Sequence, residues 1–350
     1  MKRHRWQPLG AVVLALNLLG FANVSLSGAS GLYHLTKEIQ VGGEGGWDYL
    51  SVDAANRRLY VSHMTKVVVI DLDKETVVGE IANTPGVHGF AVAPEMNRGY
   101  SSNGRESKVS VVDLKTLRTL FRVETGPNPD AVLFEPTHRR VYAFNGRGGS
   151  ATVFDANSGK VLATIGLPGK PEFAVCDPKA GRIYNNIEDK NAVVVLDTGT
   201  HRVVDTWPIT PGEEASGMAL DQAHHRLFLG CGNKLMLMMD STNGKVVASV
   251  PIGEGVDANA FDPATQLAFA SSGGDGTVTI AHEDSPEKLT VVQTLKTEPG
   301  ARTMTIDPTT HKIYLASAKF EAQPAPSSGP APGRPKMLPN TFRVLVYGRD

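Results

Sequence analysis

The feature that most constrains this chain is a repeat. Seven segments, SVDAANRRLYVS, AVAPEMNRGYSS, LFEPTHRRVYAF, VCDPKAGRIYNN, ALDQAHHRLFLG, AFDPATQLAFAS and TIDPTTHKIYLA, align without gaps. Their turn-opening residues are Asp53, Ala93, Glu135, Asp177, Asp221, Asp262 and Asp307, at steps of 40, 42, 42, 44, 41 and 45 residues. A fixed period of this length means one supersecondary unit per repeat. Each unit supplies an apolar strand before the turn and an Arg-x-Tyr-type strand after it. A third run ends near an aspartate (VVVIDL, VSVVDL, ATVFDA, VVVLDT, LMLMMD), and a fourth strand such as GKVLATIGLPG follows. Four short strands joined by Asp-Pro and Asn-Gly or Ser-Gly turns make one propeller blade. The predicted fold class is therefore all-β, a seven-bladed β-propeller.

The strand count also predicts how the ring closes. The seventh repeat has a first strand near residues 302–306, a second near 313–316 and a third in FRVLVYG, and then the chain stops. TKEIQVGGEGG, residues 36–46, matches the fourth strand of other repeats, for example ASVPIGEG. The N-terminal strand should complete the last blade and leave no open sheet edge at the seam. A solenoid would instead need capping repeats and no such exchange between the termini.

Residues 1–29 read as an export signal: Lys2, Arg3 and Arg5 form a basic head, and an apolar run over 9–22 ends in small residues. Cleavage is expected after Ala22 or Ala29. The run is too short for the roughly 20 residues of a spanning helix and is interrupted by Asn17, so no membrane anchor should remain. Residues 30–350 then form one domain, periplasmic or secreted and expected as a monomer. Without the signal the chain holds 32 basic and 36 acidic residues, a formal charge of −4, which makes it a poor generic partner for nucleic acid. Two cysteines cannot be a disulfide framework. Cys176 reads as a small buried hydrophobe, whereas Cys231, in LGCGNK, is a candidate free thiol.

The Asp-Pro turn, the Arg-x-Tyr-Val second strand and the V-x-V-x-D third strand together resemble the YVTN-type, or YncE-like, β-propeller proteins, over the whole chain from about Tyr33 onward. The resemblance implies the propeller fold and export. It implies no single activity: some such proteins bind single-stranded DNA, and related propellers serve as electron-transfer subunits or lactone hydrolases. The chain lacks the haem-attachment Cys-x-x-Cys-His of the dehydrogenase-type relatives.

In a propeller the innermost strands start on the face to which the loops between second and third strands return. The inner strands begin with Asp48, His88, Asp130, Glu172, Ser216, Asp257 and Arg302, a polar ring inside otherwise apolar strands. The loops add His63, Asn103 and Arg105, Asn145 and Arg147, Asn185, Glu188 and Lys190, Cys231, Asn233 and Lys234, Asp275 and Lys319. Asp48, His88, Asp130, Glu172, Asp257, Arg302, Arg105, Arg147, Asn185 and Lys234 are the expected ligand-binding set. His63, His88 and Glu172 are the candidate ligands of a divalent metal ion, since imidazole with carboxylate suits such ions. The bland alternative is that these groups only satisfy loop backbone and one another. His224 and His225, in an opposite-face turn, read as solvated.

No Gly-x-Ser-x-Gly elbow, phosphate-binding Gly-x-x-x-x-Gly-Lys or Cys-x-x-Cys is present. Six prolines within residues 319–340 predict an extended loop on the ring's face, either a cover, a partner contact or a spacer. The leading expectation is a binding propeller holding a small polar, partly anionic ligand at its channel mouth. The alternative is a metal-assisted hydrolase, lyase or isomerase using the same mouth. A third is a protein-interaction platform or single-stranded DNA binder.

Overall fold

The computed structural model describes residues 1, 31–321 and 336–350. Residues 2–29 of the expected signal and residues 322–335 of the Pro-rich loop lie outside the described residues. The rest forms seven four-stranded antiparallel sheets. The inner strands are Trp47–Asp53, Val87–Ala93, Pro129–Glu135, Pro171–Asp177, Ala215–Asp221, Val256–Asp262 and Met304–Ile306. Each packs against the next, and the seventh packs against the first, so the blades form a closed ring. The expected closure is present: His34–Gln40 pairs antiparallel with Arg343–Gly348 as the outermost strand of blade seven.

The repeat residues explain why the same blade forms seven times. The turn-opening acids accept backbone N–H groups two or three residues on, as in Asn56 N to Asp53 (3.0 Å), Lys179 N to Asp177 (3.1 Å) and Thr309 N to Asp307 (3.0 Å). Such side-chain acceptors satisfy the donors that a tight turn leaves open. The aspartates closing the third strands do the same: Asp71 takes Lys74 N at 3.0 Å and Asp113 takes Thr116 N at 2.8 Å. Second-strand tyrosines tie blades together, for Tyr100 Oη donates to Ala156 O (2.9 Å) and Tyr184 Oη to Ser241 O (2.9 Å) in the following blade. The apolar core sits between blades in seven clusters, one of which joins Ile39 of the closing strand to Leu50, Val61 and Val344.

Cys231 closes the second strand Arg226–Cys231 and is fully buried. Burial pushes its thiol up to about 12, so the expected free loop thiol is instead an inert core group. Cys176 is half-buried against blade four's core, and its thiol is likewise pushed up to about 12, mainly by burial.

Candidate functional site

The polar ring is built on a repeated irregularity. In blades one to six the register between inner and second strands shifts at the start of the inner strand, between Trp47 and Leu50, Val87 and Phe90, Pro129 and Val132, Pro171 and Ala174, Ala215 and Met218, and Val256 and Ala258. The ring residues Asp48, His88, Asp130, Glu172, Ser216 and Asp257 all fall inside these shifts. A bulge re-aims a side chain but takes its backbone out of the ladder. Second-strand side chains supply the missing partners: Ser102 Oγ donates to Asp130 O (2.5 Å) and Asn186 Nδ2 to Ser216 O (2.9 Å), and Ser271 Oγ does the same for Arg302 O just ahead of blade seven's inner strand. Asn185 belongs to this scaffold, since its Nδ2 donates to Glu172 O (2.9 Å) and Phe173 O (3.1 Å). It positions the ring from a buried site rather than facing a ligand.

The side chains then meet as two linked groups. His88 Nδ1 lies 2.7 Å from Asp48 Oδ2 and 3.8 Å from Asp130 Oδ1. On the other side, Arg302 Nε donates to Asp257 Oδ2 (2.5 Å), Ser216 Oγ donates to Asp257 Oδ1 (3.0 Å), and Arg302 Nη2 reaches Trp47 O (3.3 Å). Glu172 pairs with Lys170, which also holds Glu188. Below the ring, Tyr49 of blade one and Phe173 of blade four meet edge to face with centroids 5.2 Å apart. These blades stand three apart in the ring, so the pair bridges the channel and gives the mouth an aromatic floor. Equivalent positions in the other blades hold Gly89, Ala131, Gly217, Ala258 and Thr303, leaving room for the two rings.

Four carboxylates therefore face two ring cations, with Lys170 at the edge. Burial alone would lower His88, but the Asp48 hydrogen bond and the Asp130 charge carry it up to about 9, so it is an imidazolium at neutral pH. Burial, followed by the neighbouring carboxylate, pushes Glu172 well above the ordinary range; Asp130 is also raised, first by burial, despite His88. Asp257 is raised by burial against the opposing pull of Arg302. Burial, then these acids, keeps the Tyr49 hydroxyl un-ionised.

The expected metal set does not converge. His63 is 1% exposed and stacks on Phe342 with centroids 4.2 Å apart, in the cluster that also holds Trp47. Its pKa is lowered by burial, so the ring stays neutral. Phe342 follows the Pro-rich loop, and Phe320, on the loop's other leg, packs on Trp47 at 6.1 Å. The two legs zip together through Glu321 N to Lys336 O (2.8 Å) and Leu338 N to Lys319 O (2.8 Å). The loop's base thus rests beside the start of blade one's inner strand and covers His63. The metal-capable group at the mouth is instead Asp48, His88 and Asp130, whose donor atoms lie within 4.8 Å of one another.

Arg105 and Arg147 are exposed on their loops, while the preceding Asn103 and Asn145 are buried and bonded within their blades, Asn103 Nδ2 to Ser110 Oγ at 2.8 Å. Gly104 packs on the site: a Cβ there would sit 2.7 Å from His88 Nε2. Lys234 is exposed and pairs with Glu254 at 2.8 Å. Sequence reasoning missed Tyr49, Phe173 and Lys170. The first two were visible as aromatics at a register position otherwise filled by small residues.

Arg302 joins the last blade to the first, so its loss should be felt as stability. Arg302→Met leaves Asp257 without its cation, but the side chain is 45% exposed and water takes up part of the loss. The expected cost is about 1 kcal/mol. The denaturant midpoint measures it, and an unchanged midpoint would show the seam bond to be unimportant.

No family model matches the chain, and no curated protein matches it. Among solved structures it is similar to a chain of hydrazine synthase from Kuenenia stuttgartiensis, with a TM-score of 0.68 and 18% identity, over 79% of this chain and 94% of that one. At that identity the likeness is one of fold alone, and with the seven closed four-stranded sheets it makes this chain a seven-bladed β-propeller.

Proposed function

We propose that this protein is an exported, YncE-like binding propeller that holds a small polar, partly anionic ligand at the mouth of its channel. The observation that carries the reading is the excess of acid at the ring. Asp48, Asp130, Glu172 and Asp257 converge against His88 and Arg302, with Lys170 shared between Glu172 and Glu188, and burial and mutual repulsion raise three of the four carboxyl groups. Perturbed titratable groups clustered at one channel mouth support a binding site over a balanced charge network. A ligand's amine or other cationic end would relieve that excess over the Tyr49–Phe173 floor. Its anionic end would reach the exposed Arg105 and Arg147 on the rim. A zwitterion of small size fits both ends.

Titration calorimetry with a panel of small zwitterions (amino acids, phosphoethanolamine, amino sulfonates) tests this. The expected result is one site per chain that weakens at least about 10-fold in Asp48→Asn, as loss of a charge-assisted partner does. No binding by any panel member would overturn the zwitterion assignment.

The Asp48, His88 and Asp130 group supports a second reading, a metal-assisted hydrolase, lyase or isomerase. These residues suit a divalent ion by type. His88 would first have to release the proton that Asp48 and Asp130 stabilise. A bound metal would supply Lewis-acid chemistry, and Glu172, raised toward neutrality, would be the group able to move a proton.

A further inference from the structure

On the face opposite the mouth, blades five and six break the repeat together. In five blades the residue after the third strand's aspartate is Leu72, Leu114, Ala156, Thr198 or Ser241, and its N–H donates to the turn carbonyl of its own blade. In blade six the same backbone bond, Glu283 N to Gln266 O (2.9 Å), places a glutamate there. The preceding blade's tyrosine, which in blades two and four bonds the carbonyl at this position, is Phe228 in blade five. The hairpin that carries Glu283 is longer than the others, with strands Thr277–Ser285 and Lys288–Lys296.

Glu283 is 1% exposed, and neither of its carboxylate oxygens has a hydrogen-bond partner among the described residues. It points at the turn of blade five. There His224 Nδ1 lies 2.6 Å from Asp221 Oδ2 and 3.4 Å from Glu283 Oε1. His224, expected to be a solvated turn residue, is therefore held between two buried acids. Three of the other turn acids of this face receive a donor from the next blade: Asp177 from Gln222 (2.6 Å), Asp262 from His311 (2.8 Å) and Asp307 from Arg57 (2.8 Å). Asp221 meets a second carboxylate instead. The nearby Arg226 is committed to Pro286 O (2.5 Å), His225 O (2.9 Å) and Asp240 (3.3 Å). The Glu135–His138 contact of blade three repeats the turn geometry at 3.0 Å, but its blade-four counterpart of Glu283 is Thr198.

We propose that Asp221, His224 and Glu283 form a divalent transition-metal site that staples blade five to blade six. One imidazole nitrogen and two carboxylate oxygens, all within 4.8 Å of one another, are a ligand set for zinc. Zinc bonds of about 2.0–2.1 Å in a tetrahedron put ligand atoms about 3.3 Å apart, so small adjustments suffice. The half-exposed edge of His224 gives an ion its way in and leaves a fourth position to water. The site is independent of the mouth.

The test uses the full mature chain carrying His88→Ala, which removes the mouth's imidazole. Zinc titration followed by calorimetry and native mass spectrometry should give one ion per chain and a raised melting temperature. Cobalt(II) in its place should show the strong visible absorption of a low-coordinate site. Glu283→Gln, nearly isosteric, and His224→Ala, in an exposed turn, should each weaken zinc at least about 10-fold. Absence of stoichiometric zinc in the His88→Ala chain, or binding that both further variants leave intact, would overturn the site. A Glu283→Gln chain that melts higher and binds no less zinc would mean that the two acids merely share a proton.

Discussion

Deleting residues 32–42 is expected to lower the melting temperature of the protein by more than about 5 °C. The segment holds the strand His34–Gln40, whose partner Arg343–Gly348 is buried along its whole length and would become an open edge. The deletion also removes Tyr33 and Ile39, each 3% exposed. Tyr33 donates to His311 O (2.7 Å) and packs edge to face on Phe269 at 5.4 Å. Burying two such side chains contributes about 4 kcal/mol or more, before any ladder hydrogen bond is counted. In a domain of this size each kcal/mol moves the melting point by about 1.5 °C. Differential scanning calorimetry reads the loss directly. A truncated chain that melts like the intact one would mean that the terminal strand does not hold the ring shut.

The closure, the blade count and the ring position were legible because each follows from a period: a strand missing at one terminus and spare at the other, and one polar residue per inner strand. The bulges were not, since a bulge is one residue out of register and leaves no mark in the alternation of a single short strand. That is why Asn185 reads as a ligand residue in the sequence and serves in the structure as a donor to the bulge carbonyls. His63 misled for a different reason. Its strand ends at the mouth, as the repeat implies, but the neighbouring loop brings Phe342 over it, and loop packing has no period to read. Glu283 could have been found: the third run of blade six, TVTIAHED, lacks the aspartate that ends those of blades one to five and carries its acid one residue later. His224 stood in an ordinary turn pattern, and only the acid from the next blade distinguishes it.

Neutralising Glu172 is expected to stabilise the protein at alkaline pH while weakening the ligand binding proposed for the mouth. Burial, followed by the neighbouring carboxylate, raises its carboxyl well above the ordinary range, so the folded state binds this proton more tightly than the unfolded state does. Stability from such a group is fully present below the ordinary carboxylate range and is lost as pH rises toward the folded value. His88, carried up to about 9, acts in the same direction: its contribution is intact below about 6.5 and lost as pH rises through about 9. The wild-type melting temperature should therefore fall steadily from pH 6 to pH 9. Glu172→Gln keeps the shape and removes one of these proton-linked contributions. It should flatten the curve and leave the protein at least as stable at pH 8, since the amide carries no desolvated charge. Lys170 retains Glu188 as its partner in the variant.

The measurement that bears most directly on the mouth as a ligand site is a paired one on wild type and Glu172→Gln at pH 8: melting temperature by calorimetry, and the heat of binding of the best zwitterion from the panel. The expected result is a variant that melts at or above the wild-type temperature and binds at least about 10-fold more weakly, since a site built for a ligand holds its charges at some cost to the fold. A variant that melts well below the wild type and binds the zwitterion unchanged would mean that the ring is a structural charge network and that the function lies elsewhere on the propeller.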